Sequence, residues 1–244
     1  MFEIRDLHVW AANKEIIRGI SLKIKSGEIH VLMGPNGSGK SSLALALAGH
    51  PRYKITSGLV KLDEKEINKL SPDKRAKAGL FLALQYPTAV PGVSTASLLR
   101  ASLKNQKQNV AMPEFFGILK TNMNKLKIDE SFASRSINDG FSGGEKKKSE
   151  ILQLSVLKPK YAILDEVDSG LDIDSLKLVA KEIKKTNKSN VGVLLITHYQ
   201  RILKYISPDK VHVLVNGEIV ESGGKKIAAK LETKGYTSYV KTTS

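Results

Sequence analysis

The stretch Gly34-Pro35-Asn36-Gly37-Ser38-Gly39-Lys40-Ser41 has the residue types of an anion cradle. Its glycines let backbone N–H groups converge on an anion without Cβ interference. A helix that starts at its end adds unpaired N–H groups and a positive dipole. Lys40 is placed to span two phosphates. The Ser41 hydroxyl can ligate Mg²⁺, and Ser42 follows it into the helix. The spacing matches the full P-loop pattern, and the apolar run Ile29–Met33 before it supplies the strand that pattern requires. A second group lies at Tyr161-Ala162-Ile163-Leu164-Asp165-Glu166, an apolar strand ending in two carboxylates. The first suits a metal held through water, and the second suits polarising an attacking water. Gln85 and His198 each follow a strand-like run, Leu80–Leu84 and Val191–Ile196.

Positioning these groups requires strands that end at one edge of a sheet. Residues 1–34 read as short strand-like runs at Phe2–Ile4, Ile16–Ile17, Leu22–Ile24 and Ile29–Met33, divided by Gly19 and Ser26-Gly27. A helix is expected from Gly39–Ser42 through Ala48, stopped by Gly49-His50-Pro51, and a strand at Gly58–Leu62. From Thr88 to Asp139 the pattern turns helical, with stretches at Ser94–Lys104 and Pro113–Leu126. After Glu145 the alternation returns: helix to Leu157, strand Tyr161–Leu164, helix Ile173–Lys185, strand Val191–Ile196, helix Gln200–Ile206 and strand Val211–Val215. Such alternation implies an α/β chain with a mainly parallel sheet covered on both faces.

The 244 residues hold 39 Lys and Arg against 24 Asp and Glu, a formal net charge of +15. Lys177, Lys181, Lys184 and Lys185 fall at solvent-face spacing, and few aromatics are interleaved for base stacking, so no nucleic-acid partner is expected. An acidic protein partner or general lysine richness accounts for the charge as well. The absence of cysteine excludes disulfides and thiolate metal ligands. No apolar run approaches the roughly 20 residues of a spanning helix, so no direct membrane insertion is expected. The start, Phe2-Glu3-Ile4-Arg5, reads as strand rather than as a targeting segment. The expected location is cytoplasmic, or plastid stroma if the protein is organellar.

Ser142-Gly143-Gly144-Glu145 by itself reads as a turn. In this company it resembles the signature loop of the ATP-binding-cassette (ABC) ATPases, and the resemblance covers essentially the whole chain. It implies the ABC ATPase nucleotide-binding fold: a P-loop RecA-like core, an N-terminal antiparallel β-subdomain and an inserted helical subdomain. Residues 1–244 would form one such domain, with 1–87 and 140–244 as core and β-subdomain and 88–139 as the helical subdomain. The implied activity is hydrolysis of ATP to ADP and phosphate with Mg²⁺ as cofactor. Gln85 matches the Q-loop glutamine, Ser169-Gly170-Leu171-Asp172 the D-loop and His198 the switch histidine. The resemblance thus makes Glu166, His198 and Gln85 catalytic, and Ser41, Gln85 and Asp165 the metal-holding set. Nucleotide would be held by Gly34 through Ser42 of one subunit. Ser142, Gly143, Gly144 and Glu145 of a second would complete the site in a transient, ATP-dependent homodimer. One part departs: where many members stack adenine on an aromatic ring, this chain has Ala11, with Trp10 beside it either stacking or packing elsewhere.

Four stretches resemble a narrower group, the SufC-type ATPases of the SUF iron–sulfur cluster assembly machinery. They are Gly79–Pro87 with Val90–Val93, Phe141–Lys147, Asp168–Asp174, and Thr197-His198-Tyr199-Gln200-Arg201-Ile202-Leu203. Phe141 and Glu145 stand where transporter ATPases usually carry Leu and Gln. This resemblance implies SufB/SufD-type scaffold proteins as partners. The alternatives are the ATPase subunit of a membrane transporter and a non-transport ABC protein acting on nucleic acid or ribosomes, a class that usually carries two cassettes where this chain has one. The run Lys146–Lys148 carries a further expectation: before dimerisation, one of these lysines draws Glu166 away from the nucleotide, unless all three face solvent.

Overall fold

The computed structural model describes residues 1–106, 108–198 and 201–240. Two sheets and a set of helices pack in layers. The first sheet is antiparallel and four-stranded, in the order β2-β1-β4-β5, built from β1 (Phe2–Ala11), β2 (Lys14–Ile24), β4 (Tyr53–Leu62) and β5 (Lys65–Glu66). The second is six-stranded, in the order β10-β9-β3-β8-β7-β6. It comprises β3 (Ile29–Met33), β6 (Leu80–Ala83), β7 (Tyr161–Asp165), β8 (Gly192–Ile196), β9 (Lys210–Val215) and β10 (Glu218–Gly223). Its pairings are parallel except for the edge hairpin of β9 and β10.

The strands of the large sheet are apolar on both faces because both faces are covered. Val31, Ala162, Leu164, Val193 and Leu195 point into one core; Leu32, Ile163, Leu194 and Ile196 alternate with them into another. The second core lies against α1 (Lys40–Ala48) and the antiparallel sheet. The first holds α5 (Gly143–Leu157), α6 (Ile173–Lys188) and α7 (Lys226–Lys234), together with α3 (Thr95–Asn105) and α4 (Met112–Leu126). Both α3 and α4 fall within residues 88–139, the expected helical insert. Two short helices, α2 (Pro72–Lys77) and α8 (Thr237–Val240), complete the fold.

The mixed α/β architecture is the one expected, with two differences. The runs at Phe2–Ile4 and Ile16–Ile17 belong to strands of ten and eleven residues, joined at Ala12-Asn13, where Ala12 has φ 52°. Register shifts let β1 bend, which hides its alternation in the sequence. The helix expected over Gln200–Ile206 is instead a 3-10 turn at Arg201–Lys204. Tyr205 and Ile206 both bond back to Ile202, and Pro208, which has no N–H to continue the series and disfavours helix at Ser207, follows at once. Tyr199 and Gln200 of the expected switch region lie outside the described residues.

Candidate active site

The loop Gly34–Gly39 leaves the buried strand β3 and enters α1, whose N-cap, Gly39, has φ 106°. A side chain at Gly39 would be strained by that φ and would also press on Ile17 of β2, 3.0 Å from an ideal Cβ. At Gly34 a Cβ would sit 2.2 Å from the Leu214 carbonyl oxygen. The loop is therefore pinned between β9 and β2. The Gly217 N–H donates to the Ser38 carbonyl at 3.0 Å, and the Arg18 N–H donates to Gly217 at 2.9 Å.

A cleft of about 510 Å³ opens in front of this loop, lined by Asn36, Gly37, Lys40, Ser41, Gln85 and Glu166 among others. Lys40 is only 6% exposed, and its ammonium donates to the Gly34 and Pro35 carbonyls at 2.8 and 2.9 Å. Burial lowers the pKa of that amine, opposed by the charges of Glu166 and Asp165. Asp165 closes β7 and is buried. Burial pushes its carboxyl up to about 6, against the Ser41 hydroxyl, which lowers it. Its Oδ1 has no hydrogen-bond partner. A buried carboxylate oxygen without a donor, next to a serine hydroxyl, is the donor set that a hard divalent cation takes.

Glu166 is the next residue and has φ 49°, a left-handed conformation uncommon outside glycine. Its N–H still donates to the Ile196 carbonyl at 2.9 Å, so the backbone stays tied to the sheet while the side chain swings into the cleft. Gln85 Nε2 donates to Glu166 Oε2 at 2.6 Å, and His198 Nδ1 lies 3.1 Å from Glu166 Oε1. The ends of β6, β7 and β8 thus converge on one carboxylate. Beneath them Thr197 donates to Asp168 at 2.7 Å.

The model of the ABC transporter family matches residues 17–169. The chain belongs to this family. As an ABC ATPase it hydrolyses ATP. It is 50% identical over 236 residues to "Vegetative protein 296" of Bacillus subtilis strain 168, covering 96% of this chain and 90% of that protein. It is 46% identical over 241 residues to the "Probable ATP-dependent transporter ycf16" of Cyanophora paradoxa, covering 97% and 93%. Among solved structures, the ATP-binding subunit of an ABC transporter superposes with a TM-score of 0.81 at 21% identity, over 96% of this chain and 95% of that one. The ABC transporter cassette MJ0796, solved as a dimer, superposes with a TM-score of 0.78 at 21% identity, over 92% and 98%. These two likenesses show the fold.

Of the expected site residues of this ABC ATPase, Asn36, Gly37, Gly39, Lys40, Ser41, Ser42, Gln85, Glu166 and His198 line one cleft. Asp165 lies buried beside Ser41. Gly34, Pro35 and Ser38 form the loop behind it. Ser142, Gly143, Gly144 and Glu145 do not line this cleft. They start α5, where Ser142 and Glu145 form a reciprocal capping box: Glu145 N–H to Ser142 Oγ at 3.3 Å, Ser142 N–H to Glu145 Oε2 at 2.7 Å. Phe141 anchors the loop, its ring 4.6 Å from that of Phe132.

One expectation is corrected, and the surroundings of Trp10, left open by the sequence, are given. Glu166 is not held by Lys146, Lys147 or Lys148: Gln85 Nε2 and His198 Nδ1 meet its carboxylate, and Lys147 reaches the Gln85 carbonyl instead, at 2.6 Å. The signature helix approaches Glu166 through the Q-loop, so Gln85 comes between the lysine and the carboxylate. Trp10 pairs with Glu15 and Lys54 in the antiparallel sheet, and the side of the cleft next to β2 is lined by Ile16. Ile16 escaped the sequence reading because an aliphatic residue in a strand signals core, not ligand. No helix among the described residues is long and apolar enough to cross a membrane.

Proposed function

We propose that this ABC ATPase is a SufC-type motor, which couples ATP hydrolysis in a transient homodimer to iron–sulfur cluster assembly on a SufB/SufD-type scaffold. The observation that carries the hydrolytic part is the convergence of Gln85 and His198 on Glu166 at the mouth of the P-loop cleft. Lys40 exchanges its two loop carbonyls for phosphate oxygens of ATP, while loop N–H groups hold the rest. Ser41, Asp165 and Gln85 would hold Mg²⁺, and the ion would supply charge stabilisation to the phosphate oxygens. Glu166, oriented by His198, accepts a proton from water as its oxygen bonds to the γ-phosphorus and the bond to ADP breaks. Ser142 and Gly144 of a second subunit complete the γ-phosphate shell. Their absence from their own subunit's cleft supports that arrangement, as does the dimeric state of the cassette MJ0796.

The scaffold part rests on the Q-loop, signature, D-loop and switch sequences that resemble SufC. It is supported by the exposure of Tyr86 and Val90 just beyond Gln85, at 82% and 43%. Apolar side chains held in water beside a hydrolytic residue suit a partner surface. The second reading, a transporter subunit, is favoured by relatives such as a "Probable ABC transporter ATP-binding protein" of Streptococcus pyogenes, 47% identical. Affinity capture from a native extract, with mass identification of what is retained, separates the two. SufB/SufD-type proteins support the first reading; an integral-membrane permease overturns it.

A further inference from the structure

Strand β6 is the outer edge of the six-stranded sheet, so among the described residues the backbone beyond it has no neighbouring strand on one side. The Leu84–Gln85 segment leaves this edge and carries the glutamine that holds Glu166. Its peptide groups are met by α5 instead. Leu84 N–H donates to Glu150 Oε2 at 3.3 Å, and Lys147 Nζ donates to the Gln85 carbonyl at 2.6 Å and more weakly to that of Leu84 at 3.5 Å. Lys147 and Glu150 are spaced i, i+3 and share one face of the helix. One donor and one acceptor thus take the place of a missing strand.

The pair is costly to keep there. Each residue is only 6% exposed, and burial pushes the Glu150 carboxyl up to about 7, against the Leu84 N–H, Gln153 and Lys147, which lower it. Buried ionisable groups of this kind are weak evidence for added stability, which leaves room for a role in placing the backbone they hold. The N-terminus of the same helix supplies one. Helix α5 begins at Gly143, capped by Ser142, about two turns before Glu150 and within the same element. A displacement of the signature loop therefore moves Lys147 and Glu150 with it.

We propose that Glu150, partnered by Lys147, is a positioning residue: it holds the Leu84–Gln85 backbone from α5 and so makes the placement of Gln85 on Glu166 depend on the position of the signature loop. The pair touches no reacting atom; it acts through Gln85. This inference rests on the assignment of Gln85 and Glu166 to the hydrolytic site, but its first readout needs no nucleotide.

In the free, full-length protein labelled with ¹⁵N-glutamine, the Gln85 side-chain amide is identified by its loss in Gln85→Ala. In Glu150→Leu that amide is expected to shift, although residue 150 does not touch it. Turnover per folded molecule should fall by about tenfold or more, with KM for ATP changed by less than about threefold, because the P-loop is untouched. Glu150→Gln keeps an acceptor for Leu84 and should recover turnover to within about threefold of the wild type. If Glu150→Leu does not fold, Lys147→Met removes the other half of the grip and carries the same expectation. An unmoved Gln85 amide in a folded variant overturns the proposal. Loss of stability alone, with amide and turnover unchanged, also overturns it. A moved amide with unchanged turnover would leave the grip standing and count instead against the hydrolytic assignment of Gln85.

Discussion

Lys40 is buried with two backbone carbonyls and, among the described residues, no carboxylate in direct contact. A charge so placed gains most from an anion that enters the cleft. Mg-ATP at ~100 times its dissociation constant should stabilise the fold by about 2.7 kcal/mol. In Lys40→Ala that rise in melting temperature should disappear, as a thermal shift assay would detect. A variant that kept the full rise would remove Lys40 from the binding machinery. On the β2 side of the cleft, Ile16 offers dispersion contact but no donor or acceptor to the edge of a base. Sites that discriminate strongly do so by leaving a buried polar group unpaired with the wrong ligand. The kcat/KM values for ATP and GTP should therefore lie within about tenfold of each other. A preference of a thousandfold would show that another group reads the base.

Helix α1 is held at both ends. Its N-terminus faces the cleft. Its C-terminus is capped by Arg75, a buried guanidinium that donates to Ala46 and Leu47 at 2.8 and 2.7 Å and to Leu70 and Asn68 at 2.9 and 2.7 Å. The negative end of the helix dipole and four carbonyls do the work of a counter-ion. Arg75→Ala removes the guanidinium from all four carbonyls, two of them in buried bonds, and should cost more than about 2 kcal/mol in urea denaturation. Arg75→Lys should restore only part of this, because an ammonium cannot reproduce the planar fork. A loss below ~0.5 kcal/mol would mean that water replaces the guanidinium freely. Helix α5 differs in kind. Its capping box serves its own N-terminus, and its second turn serves the Q-loop. The first of these was visible in the spacing of Ser142 and Glu145, although that spacing was read as part of a nucleotide contact. The second was not visible, because only the fold brings residue 150 to residue 84.

At the scale of the molecule, what could be read from the sequence follows the range of the interactions. Strand β3, the loop and α1 form one local unit, and Gly34, Gly39 and Lys40 could be placed from spacing alone. The strand ends carrying Gln85, Glu166 and His198 could also be located, because apolar runs mark buried parallel strands. Their convergence on a single carboxylate depends on the strand order, which no local pattern contains. The long β1 and β2 strands were concealed by bulges, and β10 and α7 by their half-exposed, mixed patterns.

The same long-range packing buries a histidine pair, with His212 Nε2 3.0 Å from His30 Nδ1. Burial, with the neighbouring His30 and Lys210, lowers the pKa of His212 from 6.5 to about 4. The unfolded chain therefore binds the proton more readily between those values. The His212 contribution is fully present above about pH 6.5 and is lost as pH falls toward 4. Asp165 and Glu150, both raised, act in the opposite sense over a similar range. The comparison with His212→Gln isolates the histidine. The variant's stability should fall by roughly 3 kcal/mol less than the wild type's between pH 6.5 and 4. Parallel stability curves would show that the pair does not titrate with unfolding.

We assign hydrolysis to Glu166, held by Gln85 and His198, in a cleft whose other residues bind. Steady-state phosphate release by Glu166→Gln, measured beside its Mg-ATP thermal shift, tests that assignment. The variant should show a thermal shift equal to that of the wild type and turnover lower by about a hundredfold or more. Wild-type turnover in a variant that still binds Mg-ATP would contradict it.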